Sequence, residues 1–261
     1  EIFDTVRRMA PWVRENATVV VHSQVPVGTC EQLEATLQAA QPGLDSSLVC
    51  FPENLRLGQA IQRFLHPAMI VLGGRNPEAL DKAEELLNVI AAPRIRTNLR
   101  TAEMTKHAIN AYLATMISLT NEIANLCDEM GADALKVSEA LRLDERVSPR
   151  APLLPGLGFA GGTLARDVTA LVKVSQQQRY RAYLLGAVLK TNQRQNSIVT
   201  RKLRKVYRSL RGLNVGILGL TYKAGTSTLR RSIALEIIRE LASRGVVVKA
   251  YDPQVSPQEA K

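Results

Sequence analysis

Hydrophobic and polar positions change rhythm twice along this chain of 261 residues. Near the start, Ala17–Ser23, Ser47–Phe51 and Ala68–Gly73 are short apolar runs, the pattern of buried parallel strands. Amphipathic stretches at Glu31–Ala40 and Pro77–Ile90 predict helices between and after them, the second opening on Asn76-Pro77 as a cap and first turn. From Thr101 the period lengthens. Ile109, Tyr112, Met116, Leu119, Ile123, Leu126 and Met130 recur at 3-4 spacing, a near-heptad stripe that predicts a long helix. Such a helix suits the spine of a helical domain or a dimer interface. Gly131 supplies a stop, and Ala134–Leu143 reads as a short helix. Residues 149–163 are too rich in Pro and Gly for regular structure, and residues 165–210 read as helical with a break near 176–179. Strand and helix patterns return at Asn214–Gly219, Ser232–Gly245 and Val246–Tyr251, one βαβ unit. No repeat of solenoid period is visible.

Composition narrows the class of molecule. With 46% hydrophobic and 22% charged residues the chain is neither disordered nor fibrous. No apolar run reaches the roughly 18 residues of a membrane span, so no membrane role is expected. The opening EIFDTVRRMAPWV reads as an amphipathic helix and not as a secretory signal. Since the first residue is Glu1, the chain is expected to be a piece of a longer one. Cys30, Cys50 and Cys127 lack zinc or disulfide spacing, which suggests a reducing compartment, the cytoplasm, and no metal. Lysine and arginine number 34 against 24 acidic residues, a net charge of +10. Nucleic acid, an anionic membrane surface and an anionic metabolite all answer to that sign. Only 4% of residues are aromatic, too few for base-stacking platforms, so an anionic small molecule is expected and no nucleic acid.

Three places carry residues suited to chemistry. Lys106 and Asn110 are four apart on the predicted long helix and share a face. A lysine there relays a proton on a reacting oxygen that the asparagine orients; the plainer alternative is an exposed polar face. The loop Pro155–Thr163 repeats glycine, which lets backbone N–H groups approach a phosphate or sugar, and Asp167 follows it; a flexible linker is the alternative. Gly219–Lys223 leaves the end of a predicted strand, with Arg230 and Arg231 before the next helix, where an open α/β sheet takes its ligand. Basic residues between Arg201 and Arg211 read as a solvated helix end, and His22, His66 and His107 do not cluster.

Taken in order, these segments resemble the UDP-glucose/GDP-mannose dehydrogenase family of nucleotide-sugar dehydrogenases over nearly the whole length. His22–Thr29 (HSQVPVGT) is similar to the family's S-T-V-P-x-G-T turn, and Phe51–Gly58 (FPENLRLG) to N-P-E-F-L-R-E-G. Lys106 and Asn110 match K-x-x-x-N, and Asp144-Glu145-Arg146 matches D-x-R. The loop through Arg166-Asp167 resembles P-G-x-x-F-G-G-S-C-x-P-K-D, and Leu218–Ser232 resembles G-L-x-F-K-x-x-T-D-D-x-R-x-S.

The resemblance implies NAD-dependent oxidation of a sugar C6 alcohol on a nucleotide diphosphate, as in UDP-glucose dehydrogenase, and so a link to polysaccharide biosynthesis. It implies that Lys106 and Asn110 hold the sugar oxygen, with Asp167 and Glu53 handling protons and water. Ser23, Gln24, Glu53 and Arg166 would meet the cofactor. Arg146, Gly158, Phe159, Gly161, Lys223 and Arg230 would meet the substrate, Arg146 across a homodimer built on the long helix. The family's nucleophilic cysteine falls on Thr163, an alcohol with no evident base, so the covalent second oxidation is not expected. Further departures are Gln24 for Thr, Phe51 for Asn, Leu57 for Glu, Ala165 for Pro, and Ser227-Thr228 for paired acids.

The expected fold class is α/β: a partial Rossmann-like parallel sheet, a central all-helical domain with a long helix, and the start of a second Rossmann-like domain. The expected domains are residues 1–96, the C-terminal part of an NAD-binding domain; 97–205, a helical dimerisation domain with the substrate loop; and 206–261, the first βαβ of a nucleotide-sugar domain. The chain by itself is not expected to turn over. Two other functions compete, a silent nucleotide-sugar-binding homologue and a simple hydroxyacid dehydrogenase.

Overall fold

A computed structural model describes residues 1–55, 58–160, 162–256 and 258 of the chain. They form two compact units, Glu1–Ile109 and Asn110–Lys261. The first contains α1 (Ile2–Met9), β1 (Ala17–Val21), α2 (Thr29–Ala40), β2 (Ser46–Cys50), α3 (Ala60–Leu65), β3 (Ile70–Gly74), α4 (Pro77–Leu86) and β4 (Arg94–Thr97). The helix α5 (Leu99–Met130) begins in the first unit and continues into the second.

In the first unit the sheet order is β1-β2-β3-β4. Neighbouring residues on a strand face opposite sides, and two cores follow. Leu48, Cys50 and Val71 pack with Val6, Leu33, Leu37 and Leu99 on one side, while Val49, Ile70 and Leu72 pack with Leu80, Ala83 and Leu87 on the other. Asn76 caps α4 by accepting from the Glu78 N–H at 2.9 Å. The β1/β2 pair is parallel as expected, and the β3/β4 pair is parallel too. The β2/β3 pair, joined at Val49–Gly74 and Cys50–Gly73, runs antiparallel. A continuous apolar run reports burial on both faces and not direction, so the pattern does not distinguish the two. Hydrophobicity also misses β4, whose arginines are exposed; Arg96 pairs with Asp81 at 2.5 Å, the charged dress of an edge strand.

The second unit holds the rest of α5, α6 (Ala134–Leu143), α7 (Thr163–Gln177), α8 (Tyr183–Asn196), α9 (Ile198–Val206), β5 (Asn214–Leu218), α10 (Ile233–Ser243) and β6 (Val247–Tyr251). The predicted helical stretch is therefore three helices. β5 and β6 pair in parallel from Asn214–Val247 to Leu218–Tyr251, with Leu210, Ile237, Leu241 and Val246 buried beneath them.

The apolar stripe of α5 is not the side that faces the core of this unit. Tyr112, Leu119, Leu126 and Met130 are exposed, Met130 at 81%. The buried face is Ala111, Ala114, Ser118 and Asn121, again at 3-4 spacing but small or polar. Ala111 and Ala114 let Phe159, Val168 and Val188 come close. The polar members are satisfied, Ser118 Oγ by the Val188 carbonyl at 3.4 Å and Asn121 Oδ1 by the Gly156 N–H at 2.7 Å. Among the described residues, no helix is long and apolar enough to cross a membrane.

Candidate active site

In the first unit the turn after β1 is built at the C-terminal ends of parallel strands, where an open α/β sheet takes its ligand. Gly28 precedes α2 at φ +89°, a left-handed conformation that places glycine there. Having no side chain, it cannot cap the helix. The cap comes from α5: the buried carboxylate of Glu103 accepts from the Gly28 N–H through Oε2 and from the Cys30 N–H through Oε1 at 2.7 Å. One turn along α5, His107 Nε2 donates to the Val25 carbonyl at 2.9 Å. Glu103 and His107 thus fasten both ends of the turn that presents exposed Ser23 and half-buried Gln24. Space above Gly28 is open, with no atom within 4 Å of where a Cβ would stand. Lys106 Nζ donates to Asn54 Oδ1 at 3.2 Å, which brings the lysine to the segment carrying half-buried Glu53. Leu57, at the departing acidic position, lies outside the described residues.

In the second unit, Asn110 and Asp167 meet directly. The Asn110 amide donates to Asp167 Oδ2; the two are 5% and 1% exposed. Arg166, next along α7, reaches Asp167 Oδ1 at 3.4 Å while its own side chain stays more than half exposed. Thr163 is the exposed first residue of α7, behind the buried Gly162.

The glycine-rich loop is clamped by three amides. Gly156 N–H donates to Asn121, its carbonyl accepts from Gln195 at 2.7 Å, and Asn125 orients Gln195 at 2.9 Å. Asn192 pairs with both backbone groups of Phe159, accepting at 2.8 Å and donating at 2.7 Å. A Cβ on Gly158 would stand 2.5 Å from Asn192 Oδ1, at φ +89°, so this position admits glycine alone. The loop is held, not loose.

That loop forms one wall of a cavity of about 590 Å³. Leu157, Gly158 and Phe159 face Gly219, Thr221, Tyr222 and Lys223, with Ser232 and Ile233 at the start of α10. The turn after β5 is positioned by Asp252, whose Oδ2 accepts from the N–H groups of Leu220 (2.7 Å) and Thr221 (3.1 Å). The Leu220 N–H, followed by that of Gln254, holds this carboxyl below its ordinary range.

Of the residues expected from sequence, Gly158, Phe159 and Lys223 share this cavity, and Asn110 shares a hydrogen bond with Asp167. Arg146 is exposed and paired with Asp144 at 2.7 Å, and Arg230 is exposed. Arg231, not Arg230, stands beside Gly162, where a Cβ would lie 3.4 Å from its Cδ. Gly161 lies outside the described residues. Sequence reasoning passes over Glu103, Asn121, Asn192, Gln195 and Asp252. Their only trace in the sequence is a polar residue on a face that turns out to be buried.

No cysteine stands in for the nucleophile missing at Thr163. Cys30, Cys50 and Cys127 are all buried. The Cys50 thiol beside it, and then burial, push the Cys30 thiol far up, so it stays protonated.

Comparison with known proteins agrees with this layout. Residues 1–91 match the NAD binding domain of the UDP-glucose/GDP-mannose dehydrogenase family, 100–194 its central domain and 216–261 its UDP binding domain. The chain is 40% identical over 241 residues to the UDP-glucose 6-dehydrogenase TuaD of Bacillus subtilis, covering 92% of this chain and 52% of that protein. It is 37% identical over 260 residues to the UDP-glucose 6-dehydrogenase of Rickettsia typhi, covering 97% and 58%. The structure of a UDP-glucose dehydrogenase from Pyrobaculum islandicum superposes with a TM-score of 0.92 at 31% identity, over 99% of this chain and 60% of that one. The chain therefore spans little more than half the length of the curated relatives it matches. Three successive domain matches in the order of the motifs leave one assignment: the chain belongs to the UDP-glucose/GDP-mannose dehydrogenase family.

Proposed function

We propose that the native polypeptide carrying this chain oxidises the C6 hydroxyl of a UDP-sugar, UDP-glucose foremost, to the aldehyde, with NAD as cofactor. The observation that carries the reading is the cavity between the glycine-rich loop and the Lys223 turn, of a size that suits a nucleotide-sugar. Exposed Ser23, half-buried Gln24 and Glu53, and the open face above Gly28 fit one end of a dinucleotide. NAD, when bound, accepts a hydride.

The chain's own groups handle the proton and the phosphates. Lys106, steadied by Asn54, presents ammonium donors to the sugar oxygen and takes up negative charge as its proton leaves. Asn110 has its Nδ2 committed to Asp167, which leaves the amide oxygen to accept a hydrogen bond from the sugar hydroxyl, whose proton passes to solvent water as the hydride leaves. Asp167 thereby fixes the orientation of Asn110. Lys223 offers its charge to the diphosphate, and the surplus of basic residues favours approach of that anion.

Counting NADH against sugar consumed, with UDP-glucose and NAD supplied to the native polypeptide, tests the reading. One NADH per sugar is the expected result. Tight UDP-glucose binding without NADH replaces it by a silent binding homologue, a reading favoured by Thr163 at the cysteine position. Reduction of NAD by 2- or 3-hydroxy acids, with no UDP-glucose bound, replaces it by a hydroxyacid dehydrogenase.

The reading includes a homodimer through α5. Its support is the outward stripe Tyr112, Leu119, Leu126 and Met130, an apolar face of a kind that marks association surfaces. Sedimentation equilibrium is expected to give twice the mass of one chain, and Leu126→Glu to return it to one. A single-chain mass for the unsubstituted protein overturns the dimer. The cytoplasm is the proposed location, since Cys30, Cys50 and Cys127 lack the spacing of a disulfide framework.

A further inference from the structure

Three side chains of α5 reach the start of α2 and the turn before it. Arg100, Glu103 and His107 recur at 3-4 spacing and so share one face of the helix. Arg100 pairs with Glu31, in the first turn of α2, at 2.7 Å. Glu103 accepts from the Gly28 and Cys30 N–H groups, and His107 donates to the Val25 carbonyl. The attachments climb α5 while their partners step back along the chain from Glu31 to Val25. They differ in weight. Arg100 is exposed, so its ion pair adds little. Glu103 and His107 are 2% and 3% exposed, and at that depth a hydrogen bond is costly to lose. The turn's own bonds, from the Thr29 N–H and hydroxyl to the Pro26 carbonyl, close it locally and do not reach α5.

Glu103 is too deeply buried to meet a ligand itself. What it fixes is the surface of Ser23, Gln24 and the open space above Gly28. A ligand that needs one conformation of a turn loses apparent affinity in proportion as that conformation is depopulated. The same stretch of α5 carries Lys106, whose Nζ reaches Asn54 at 3.2 Å, so one helix sets both the turn and the lysine. We propose that Glu103 is a positioning residue for the cofactor: from α5 it holds the Val25–Cys30 turn in the conformation that receives NAD, with His107 as its second anchor. This rests on the NAD-dependent reading and adds to it a residue that lies outside every motif compared.

The test is steady-state kinetics of the native polypeptide carrying Glu103→Gln, with NAD and UDP-glucose varied in turn and thermal unfolding recorded alongside. The amide keeps one acceptor oxygen and sets an N–H donor against the second backbone donor. KM for NAD is expected to rise roughly tenfold, the effect of one charge-assisted hydrogen bond, while KM for UDP-glucose stays within about twofold. His107→Leu releases the other end of the turn and is expected to raise KM for NAD without touching the carboxylate. His107→Gln, whose Nε2 keeps a donor for Val25, is expected to reverse that rise. Should Glu103→Gln fail to fold, the two His107 variants decide. A lower Tm with KM for NAD unmoved overturns the inference and makes both residues structural only. An equal rise in both KM values overturns it too, since the effect is then not particular to the cofactor. Absence of NAD reduction by the unsubstituted polypeptide overturns the functional reading, and this inference with it.

Discussion

Replacing Thr163 by cysteine is expected to raise the yield from one NADH per UDP-glucose to two. Thr163 is exposed at the first position of the 15-residue helix α7, so its side chain stands at the positive end of the helix dipole. For a thiol that setting lowers the pKa and populates the thiolate. A hydroxyl gains too little from it; without a strong base it stays protonated and a poor nucleophile. All three histidines, His22, His66 and His107, precede residue 110, so the unit that holds Thr163 supplies no imidazole of its own. The cysteine variant would add its sulfur to the aldehyde carbon, and the resulting adduct can release a second hydride to leave a thioester. Water then cleaves the thioester to the acid and regenerates the thiol. Iodoacetamide should return the variant to a single oxidation or none. Two NADH from the unsubstituted protein would sink the argument, since the threonine would then be no obstacle.

Asp167→Ala is expected to be the most damaging single change in both stability and turnover. The carboxylate is 1% exposed and is the acceptor of the Asn110 amide, itself 5% exposed. Truncation leaves that amide buried without its partner, at a cost of about 1–3 kcal/mol, and adds a small cavity. A loss near 3 kcal/mol corresponds to a fall in Tm of roughly 6–12 °C for a chain of this size. Turnover falls as well, by roughly 100-fold, because Asn110 loses the group that orients it. Asp167→Asn separates the two effects. It keeps an acceptor oxygen for Asn110, so most stability returns, while the negative charge near Arg166 is gone. Thermal unfolding and kcat measured on both variants check this. A Tm for Asp167→Ala within 2 °C of the unsubstituted protein would show that the pair is not holding the helix together.

The α/β class was legible because Ala17–Val21, Ser46–Cys50 and Ile70–Gly74 carry nearly unbroken apolar residues between amphipathic helices. Strand direction was not, because Ile70–Leu72 are buried on both faces whichever way β3 runs. On α5 the hydrophobic stripe gave the helix correctly, yet its buried side is Ala111, Ala114, Ser118 and Asn121. Close packing there demands small side chains, and small side chains carry little hydrophobic signal. In the candidate site, glycines and charged residues announced the loop and the Lys223 turn. The groups that hold them did not. Asn192 matters because it pairs with Phe159 across 33 residues, and Asp252 because it fixes Leu220 and Thr221 from the far end of β6. A lone amide or carboxylate on an element says nothing of a partner so distant in the chain.

The capping of α2 by Glu103 has a consequence for how the protein is made. Its acceptor and the Gly28 N–H are 75 residues apart in the chain, and Gly28 itself has no side chain to do the same work. A ribosome adds some 5–20 residues per second, so the start of α2 waits several seconds for the residue that closes it. Through that interval the turn holds its local Thr29-to-Pro26 bonds, while the Gly28 and Cys30 N–H groups lack the carboxylate that fastens them. The turn that presents Ser23 and Gln24 is therefore among the last parts of its unit to mature, completed from a helix that the chain has yet to synthesise when the turn itself emerges.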